Sequence, residues 1–148
     1  MFFVAVQIVA NGTLRCSLRC KSVIAIGCIA DNKGVGFRAD NHPIHYDIEF
    51  CRAHGHRNVL AHGFQVLAFS AVGAGTFPHM IGDKLIGFIE QSSKFLKPVY
   101  VGDTLYATLT ITALSRQRTT GVVVMAATIH NQKSELVQTG EHKYLLRI

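Results

Sequence analysis

Residues 63–75 read GFQVLAFSAVGAG, and this stretch decides the fold. It contains no charged residue, and Gln65 is its one large polar side chain. Its length and its alanine and leucine content favour a helix, and because it is apolar on every side we expect that helix to be buried all round. Two glycines near its end lower helix propensity, and many small residues would let strands approach the helix axis closely: Ala68, Ser70, Ala71, Gly73, Ala74 and Gly75.

The sequence that follows predicts four strands separated by turns, over residues 84–95, 104–114, 121–130 and 135–148. The second carries repeated β-branched residues, and the third, GVVVMAATIH, is strongly apolar. Because the connections are short, we predict an antiparallel meander. Together with the helix, this gives an α+β fold in which an antiparallel sheet wraps around one long buried helix.

A second helix is predicted upstream of the first. Pro43 suits the first position of a helix, where its fixed φ angle and missing N–H cost nothing. Ile44, Ile48 and Cys51 then repeat at helical spacing until Gly55 ends the turn.

The chain as a whole predicts a single domain over residues 1–148, since no repeat or linker divides it. Hydrophobic residues make up 49% and charged residues 16%, which is too apolar and too weakly charged for a disordered chain. Residues 1–39 predict two apolar strands, with a loop over residues 31–36. The longest apolar runs fall far short of the roughly 20 residues that cross a bilayer, so we predict no membrane partner.

The charge balance favours an anionic partner. Fifteen Lys and Arg against nine Asp and Glu give a formal net charge of +6, which a small molecule bearing phosphates fits as well as nucleic acid does. The basic residues are scattered, there is no Trp, and the phenylalanines do not alternate with Lys or Arg, so we predict no nucleic-acid partner. None of the four cysteines forms a CxxC pair, which favours reduced thiols in a cytoplasmic protein.

The densest polar cluster is residues 40–45, DNHPIH, followed by the pair His62-Gly63. Pro43 keeps the residues before it out of a helix, so Asp40 and His45 can meet across a bent loop. A carboxylate beside an imidazole is a proton-transfer pair, and the amide of Gly63 at the start of a helix can hold a developing oxyanion. These are the parts needed to add water to an activated double bond.

Two other interpretations stay open on these residues. In the first, Asp40 caps a helix and His45 is a structural histidine. In the second, five histidines within 21 positions, with Asp40, form a zinc or iron site. We expect no metal, because an HxxH step across Pro43 does not place both rings on one helical face and there is no HExxH.

Residues 39–70, ADNHPIHYDIEFCRAHGHRNVLAHGFQVLAFS, resemble the MaoC-like dehydratase family, which includes the (R)-specific enoyl-CoA hydratases. Residues 93–105, SKFLKPVYVGDTL, are similar to the strand, turn and strand that follow in that family. The family's core motif is D-x-N-P-[aliphatic]-H with an HG step downstream, and the likeness covers residues 39–146. His42 stands where the motif has Asn, with Asn41 beside it.

The resemblance implies a hot-dog fold, a homodimer or a dimer of dimers, and a lyase that adds water reversibly to a trans-2-enoyl thioester to give a (3R)-hydroxyacyl thioester. Asp40 and His45 match the catalytic pair, and Gly63 matches the residue whose amide binds the thioester oxygen. Side chains beside them are expected to contact substrate: Asn41, His42, His62 and Ser70.

The expected substrate is an acyl-CoA or acyl carrier protein thioester. Coenzyme A enters as part of that substrate, and no metal or redox cofactor is expected. The alternative from another class is a non-catalytic protein that binds acyl thioesters, in which His42 in place of the motif Asn has abolished the chemistry.

Overall fold

The computed structural model describes residues 2–9, 13–22, 42–71 and 76–148. Three α-helices, α1, α2 and α3, are Ile48–Ala53, Gly63–Ser70 and Thr76–Ile81, and two 3-10 turns are Pro43–His45 and Gly82–Lys84. The strands within these ranges are β1 to β6: Phe2–Val9, Thr13–Ser22, Leu85–Phe95, Leu105–Arg116, Thr120–Asn131 and Leu136–Arg147. The four strands predicted after the helix are therefore confirmed within about two residues at each end.

All six strands form one antiparallel sheet in the order β1-β2-β4-β5-β6-β3. The predicted meander is correct for β4, β5 and β6, but it is wrong for β3, which pairs with β6 instead of β4. The chain leaving β3 does not turn back on it: the amide of Val101 donates to the carbonyl of Val59, and the amide of Ala61 donates to that of Val99. Residues 99–101 are thus held by the segment before α2, and the chain does not return along β3.

The first two strands form a hairpin, and β2 then pairs with β4. Of the two apolar strands predicted within residues 1–39, β1 fits the prediction, whereas β2 carries three basic residues and is not apolar. The predicted loop over residues 31–36 lies outside the described residues.

Helix α2 packs on the sheet through one side only. Val66 and Ser70 are buried, whereas Ala68 is exposed and Phe64 keeps 74% of its surface accessible. The prediction of a helix buried all round is wrong for the single chain, because one sheet can cover only one side of a helix. Helix α2 has eight residues, and the predicted continuation over residues 72–75 lies outside the described part of the chain.

The core lies between the sheet and the helices in two clusters. One joins Phe77 of α3 to residues of β4, β5 and β6, and consists of Phe77, Leu109, Val123, Met125, Ala127 and Tyr144. The other lies under α2 and consists of Val66, Val99, Leu105, Ala107, Ile129 and Val137. None of the helices in the described segments is long and apolar enough to cross a membrane.

Upstream of α2, the structure has a 3-10 turn and a short helix where one continuous helix was predicted. Pro43 occupies the first position of the 3-10 turn, as expected. The helix does not continue, because Asp47 interrupts it: its carboxylate accepts hydrogen bonds from the amides of Glu49 and Phe50 and caps a new helix, α1. Gly55, with φ of 81°, follows the end of α1.

Candidate active site

The 3-10 turn and the N-terminus of α2 meet at two histidines. The rings of His45 and His62 stack with their centroids 3.7 Å apart and their planes 25° apart. His62 immediately precedes Gly63, the first residue of α2. The structure therefore brings together three of the predicted site residues, whereas Asp40 and Asn41 lie outside the described residues.

The hydrogen bond of His45 defines which ring nitrogen carries the proton. Its Nδ1 lies 3.0 Å from the backbone carbonyl oxygen of Leu60. Because a carbonyl oxygen only accepts, Nδ1 must donate, and in the neutral ring the lone pair is then on Nε2. The Nε2 atom of His45 can therefore accept a proton and return it.

Gly63 presents amide groups at the start of α2. The first hydrogen bond within the helix runs from the amide of Val66 to the carbonyl of His62, so the amides of residues 63–65 have no partner inside the helix. Together with the helix dipole, these amides favour negative charge at this point. A Cβ atom added at Gly63 would lie 3.2 Å from Cζ of Phe95, the last residue of β3, so this ring covers the glycine closely.

Of two other predicted substrate contacts, His42 caps the same 3-10 turn and its carbonyl accepts the amide of His45 at 3.1 Å, whereas Ser70 lies away from this cluster. The Nδ1 atom of His42 accepts a hydrogen bond from the amide of Ile44 at 3.3 Å, and its ring meets the ring of Phe50 edge-on at 5.5 Å. Ser70 lies at the opposite end of α2, about 10 Å along the helix axis from Gly63. Its side chain is buried and donates to the carbonyl of Leu67 at 2.7 Å.

Ser70 also contacts His142 on β6, a residue that the sequence did not single out. Because the Ser70 hydroxyl donates to Leu67, His142 donates through Nε2 to the Ser70 oxygen at 3.0 Å. The Nδ1 atom of His142 is buried without a hydrogen-bond partner among the described residues. Burial lowers the pKa of His142, which is 2% exposed. Only the strand register shows that this histidine faces the core.

The buried His142 predicts a loss of stability in mild acid. Because its pKa is lower in the folded chain, the unfolded chain takes up the proton first as pH falls below about 6.5. The free energy of unfolding then decreases by up to about 1.4 kcal/mol per pH unit. We expect the melting temperature to fall between pH 7 and pH 5, and the fall to be smaller in His142→Gln. His54→Gln, at an exposed histidine, is the matched control. If the melting temperature falls equally with pH in both variants, the prediction is contradicted.

A buried carboxylate, Asp103, lies in the loop beside the site. Burial raises its pKa, but hydrogen bonds from Gln132, the amide of Tyr100 and Arg57, together with the Arg57 charge, outweigh burial and hold the pKa below its usual value. The sequence marked this residue only as part of a turn. Its role as a hydrogen-bond acceptor follows from the three donors that the fold places around it.

No three His, Cys, Asp or Glu side chains gather as a metal site within the described ranges. The arrangement found there is an imidazole with a defined proton acceptor beside helix amides. Such a site can move a proton and stabilise an oxyanion.

The antiparallel sheet with α2 packed on one face places the chain in the hot-dog class of folds. A family model described as MaoC like domain matches residues 28–133, and the chain belongs to that family. The family and the fold class predicted from the sequence are thereby confirmed.

Two proteins of similar sequence and one solved structure illustrate what this chain is similar to. A protein of Streptomyces griseus named UPF0336 protein is 30% identical over 115 residues, which cover 73% of this chain and 75% of that protein. A protein of Rhodospirillum rubrum named (R)-specific enoyl-CoA hydratase is 31% identical over 83 residues, 53% of each. The solved (R)-hydratase from A. caviae involved in PHA biosynthesis has the same fold, with a TM-score of 0.65 at 24% identity over 88% of this chain and 92% of that one.

Proposed function

We propose that this protein is a hydratase/dehydratase that adds water reversibly to a trans-2-enoyl-CoA, giving a (3R)-hydroxyacyl-CoA. The observation that carries the proposal is the position of His45 beside the Gly63 amide. Its ring stacks on His62, the residue just before Gly63, and its Nδ1 donates to the carbonyl of Leu60. Similarity to a protein named (R)-specific enoyl-CoA hydratase supports it. The role of Asp40 rests on the sequence motif.

In the proposed reaction, Asp40 and His45 hold one water molecule. One of them takes a proton from the water as its oxygen bonds to the β-carbon, and the π electrons move toward the thioester oxygen. The Gly63 amide stabilises the resulting enolate oxygen. His45, which carries that proton on Nε2 either directly or by transfer from Asp40, then returns it to the α-carbon, so that one water is added and no proton is left over.

The proposed substrate is a thioester of fatty acid metabolism. The net charge of +6 is consistent with the phosphates of coenzyme A, and a thioester of acyl carrier protein is the alternative form of the same acyl group. Because the chemistry lies at the thioester end, either carrier would present the same reacting atoms.

Hydration of crotonyl-CoA tests this function directly. We expect the absorbance of the enoyl thioester to fall on adding the protein, and chiral analysis to find the (3R)-hydroxy product. Absorbance that stays flat while calorimetry detects binding would refute the enzyme and support the alternative, a non-catalytic protein that binds acyl thioesters.

We also propose that the protein is a homodimer or a dimer of dimers. Helix α2 exposes Phe64, and β3, at an edge of the described sheet, exposes Ile86, Phe88 and Ile89. Apolar side chains beside an open strand edge are stabilised when a second copy covers them. Light scattering should give at least twice the chain mass of 16.2 kDa, and a stable monomer at micromolar concentration would contradict this.

A further inference from the structure

The acceptor for His45 belongs to a short ladder between two loops. Leu60 forms an antiparallel bridge with Tyr100, flanked by the hydrogen bonds that join Val59 to Val101 and Ala61 to Val99. The amide of Leu60 also donates to the carbonyl of Ile44 at 3.0 Å. The position of the Leu60 carbonyl therefore depends on how the two loops are held together.

Asp103 bonds to both sides of this ladder. Its Oδ2 accepts the amide of Tyr100 at 2.9 Å, and its Oδ1 accepts Nη2 of Arg57 at 2.5 Å. Arg57 lies three residues before Leu60, and its guanidinium covers the ring of Tyr100 at 4.3 Å from the centroid. A third donor, Nε2 of Gln132, reaches the same Oδ1 at 2.7 Å from the β5–β6 turn.

We propose that Asp103 is a positioning residue that holds the Leu60 carbonyl in place and so keeps the proton of His45 on Nδ1. The inference rests on the proposed function of His45 and adds the group that maintains its tautomer. The physical reason is that the hydrogen bond made by one ring nitrogen determines which nitrogen carries the proton.

The contacts require a carboxylate at this position. All three groups around Asp103 are donors, and its side chain is only 3% exposed. An amide in its place would turn an N–H₂ group toward the Tyr100 amide or, flipped, toward Arg57 and Gln132. Either orientation sets donor against donor in a buried site, which separates the loops at one side of the ladder.

The test is Asp103→Asn, with the tautomer of His45 read from its ring ¹⁵N chemical shifts without substrate. We expect the Nδ1–H form to lose population to the Nε2–H form. We also expect kcat for crotonyl-CoA to fall about tenfold, with a smaller change in KM, because the affected group moves a proton. Unchanged His45 shifts in the folded variant would overturn the inference.

Two further variants distinguish a specific effect on the Leu60 carbonyl from a general loss of order in the loops around Asp103. Arg57→Met removes the donor on the Leu60 side from a side chain that is 54% exposed, and we expect the same shift in smaller measure. Gln132→Ala removes the donor from the β5–β6 turn and should leave the tautomer unchanged. An equal shift in Gln132→Ala would overturn the inference.

A fallback measurement and one control variant complete the design. If Asp103→Asn does not fold, the test rests on Arg57→Met. Unchanged ¹⁵N chemical shifts of His45 in Arg57→Met would then refute the positioning role of Asp103. Glu90→Gln removes an exposed carboxylate that binds Lys143, and it should leave both readouts unchanged. A wild-type protein that fails to hydrate crotonyl-CoA refutes the proposed function, whereas the tautomer shift is measured independently of turnover.

Discussion

Replacing His45 with alanine is expected to lower the turnover of crotonyl-CoA by about 100-fold or more while the fold survives. The ring is half-buried at the surface end of α2, so its loss removes the proton-transfer group without opening the core. Asp40→Asn should have an effect of similar size, because the amide cannot take a proton from water.

His54→Ala is the matched control for this experiment. His54 is exposed, and its Nδ1 lies 2.8 Å from the carbonyl of Phe50 in its own helix, so it tests the loss of a histidine outside the site. Circular dichroism should show that all variants keep the wild-type fold. The catalytic assignment would be wrong if His45→Ala and Asp40→Asn hydrated every tested substrate at rates near that of the wild type.

Gly63→Ala is expected to fold but to raise the reaction barrier by roughly 2 kcal/mol, which is about 30-fold in kcat/KM. Alanine keeps the amide N–H, so the loss comes from the added methyl group, which holds the thioester carbonyl away from the amide. The methyl would lie 3.2 Å from Phe95, whose ring is 53% exposed and can move by a few tenths of an ångström. We therefore expect little change in melting temperature.

Turnover and melting temperature must be measured on the same preparation. The double variant Gly63→Ala/Phe95→Leu gives the methyl more room on the side of the ring. If the methyl acts by blocking the carbonyl, turnover should stay low in the double variant. A Gly63→Ala protein that melts earlier but turns over normally per folded molecule would leave only a packing role for this glycine.

Features that depend on neighbouring residues could be predicted from the sequence. The β4–β5–β6 meander follows from alternating or apolar runs with short turns between them. The start of the 3-10 turn at Pro43 follows from the fixed φ angle of proline. The motif over residues 40–45 and the HG step downstream likewise indicate His45 and Gly63, because their residue types and spacing are themselves the signal.

Features that depend on distant residues were decided by the tertiary structure. β3 pairs with β6 and not with β4, because residues 99–101 bond to the segment before α2. Apolar composition predicted a helix at Gly63 but could not show that its Phe64 side is left uncovered by the sheet.

The surroundings of the site residues depend on the same long-range order. The carbonyl that orients His45 is 15 residues away, the arginine bound to Asp103 is 46 away, and the serine bound to His142 is 72 away. No local pattern encodes such pairs, since each requires two segments to be brought together by strand register and loop path. The sequence by itself thus determined the fold class and the reactive residue types, whereas the partners that control their protons exist only because the packed chain places them there.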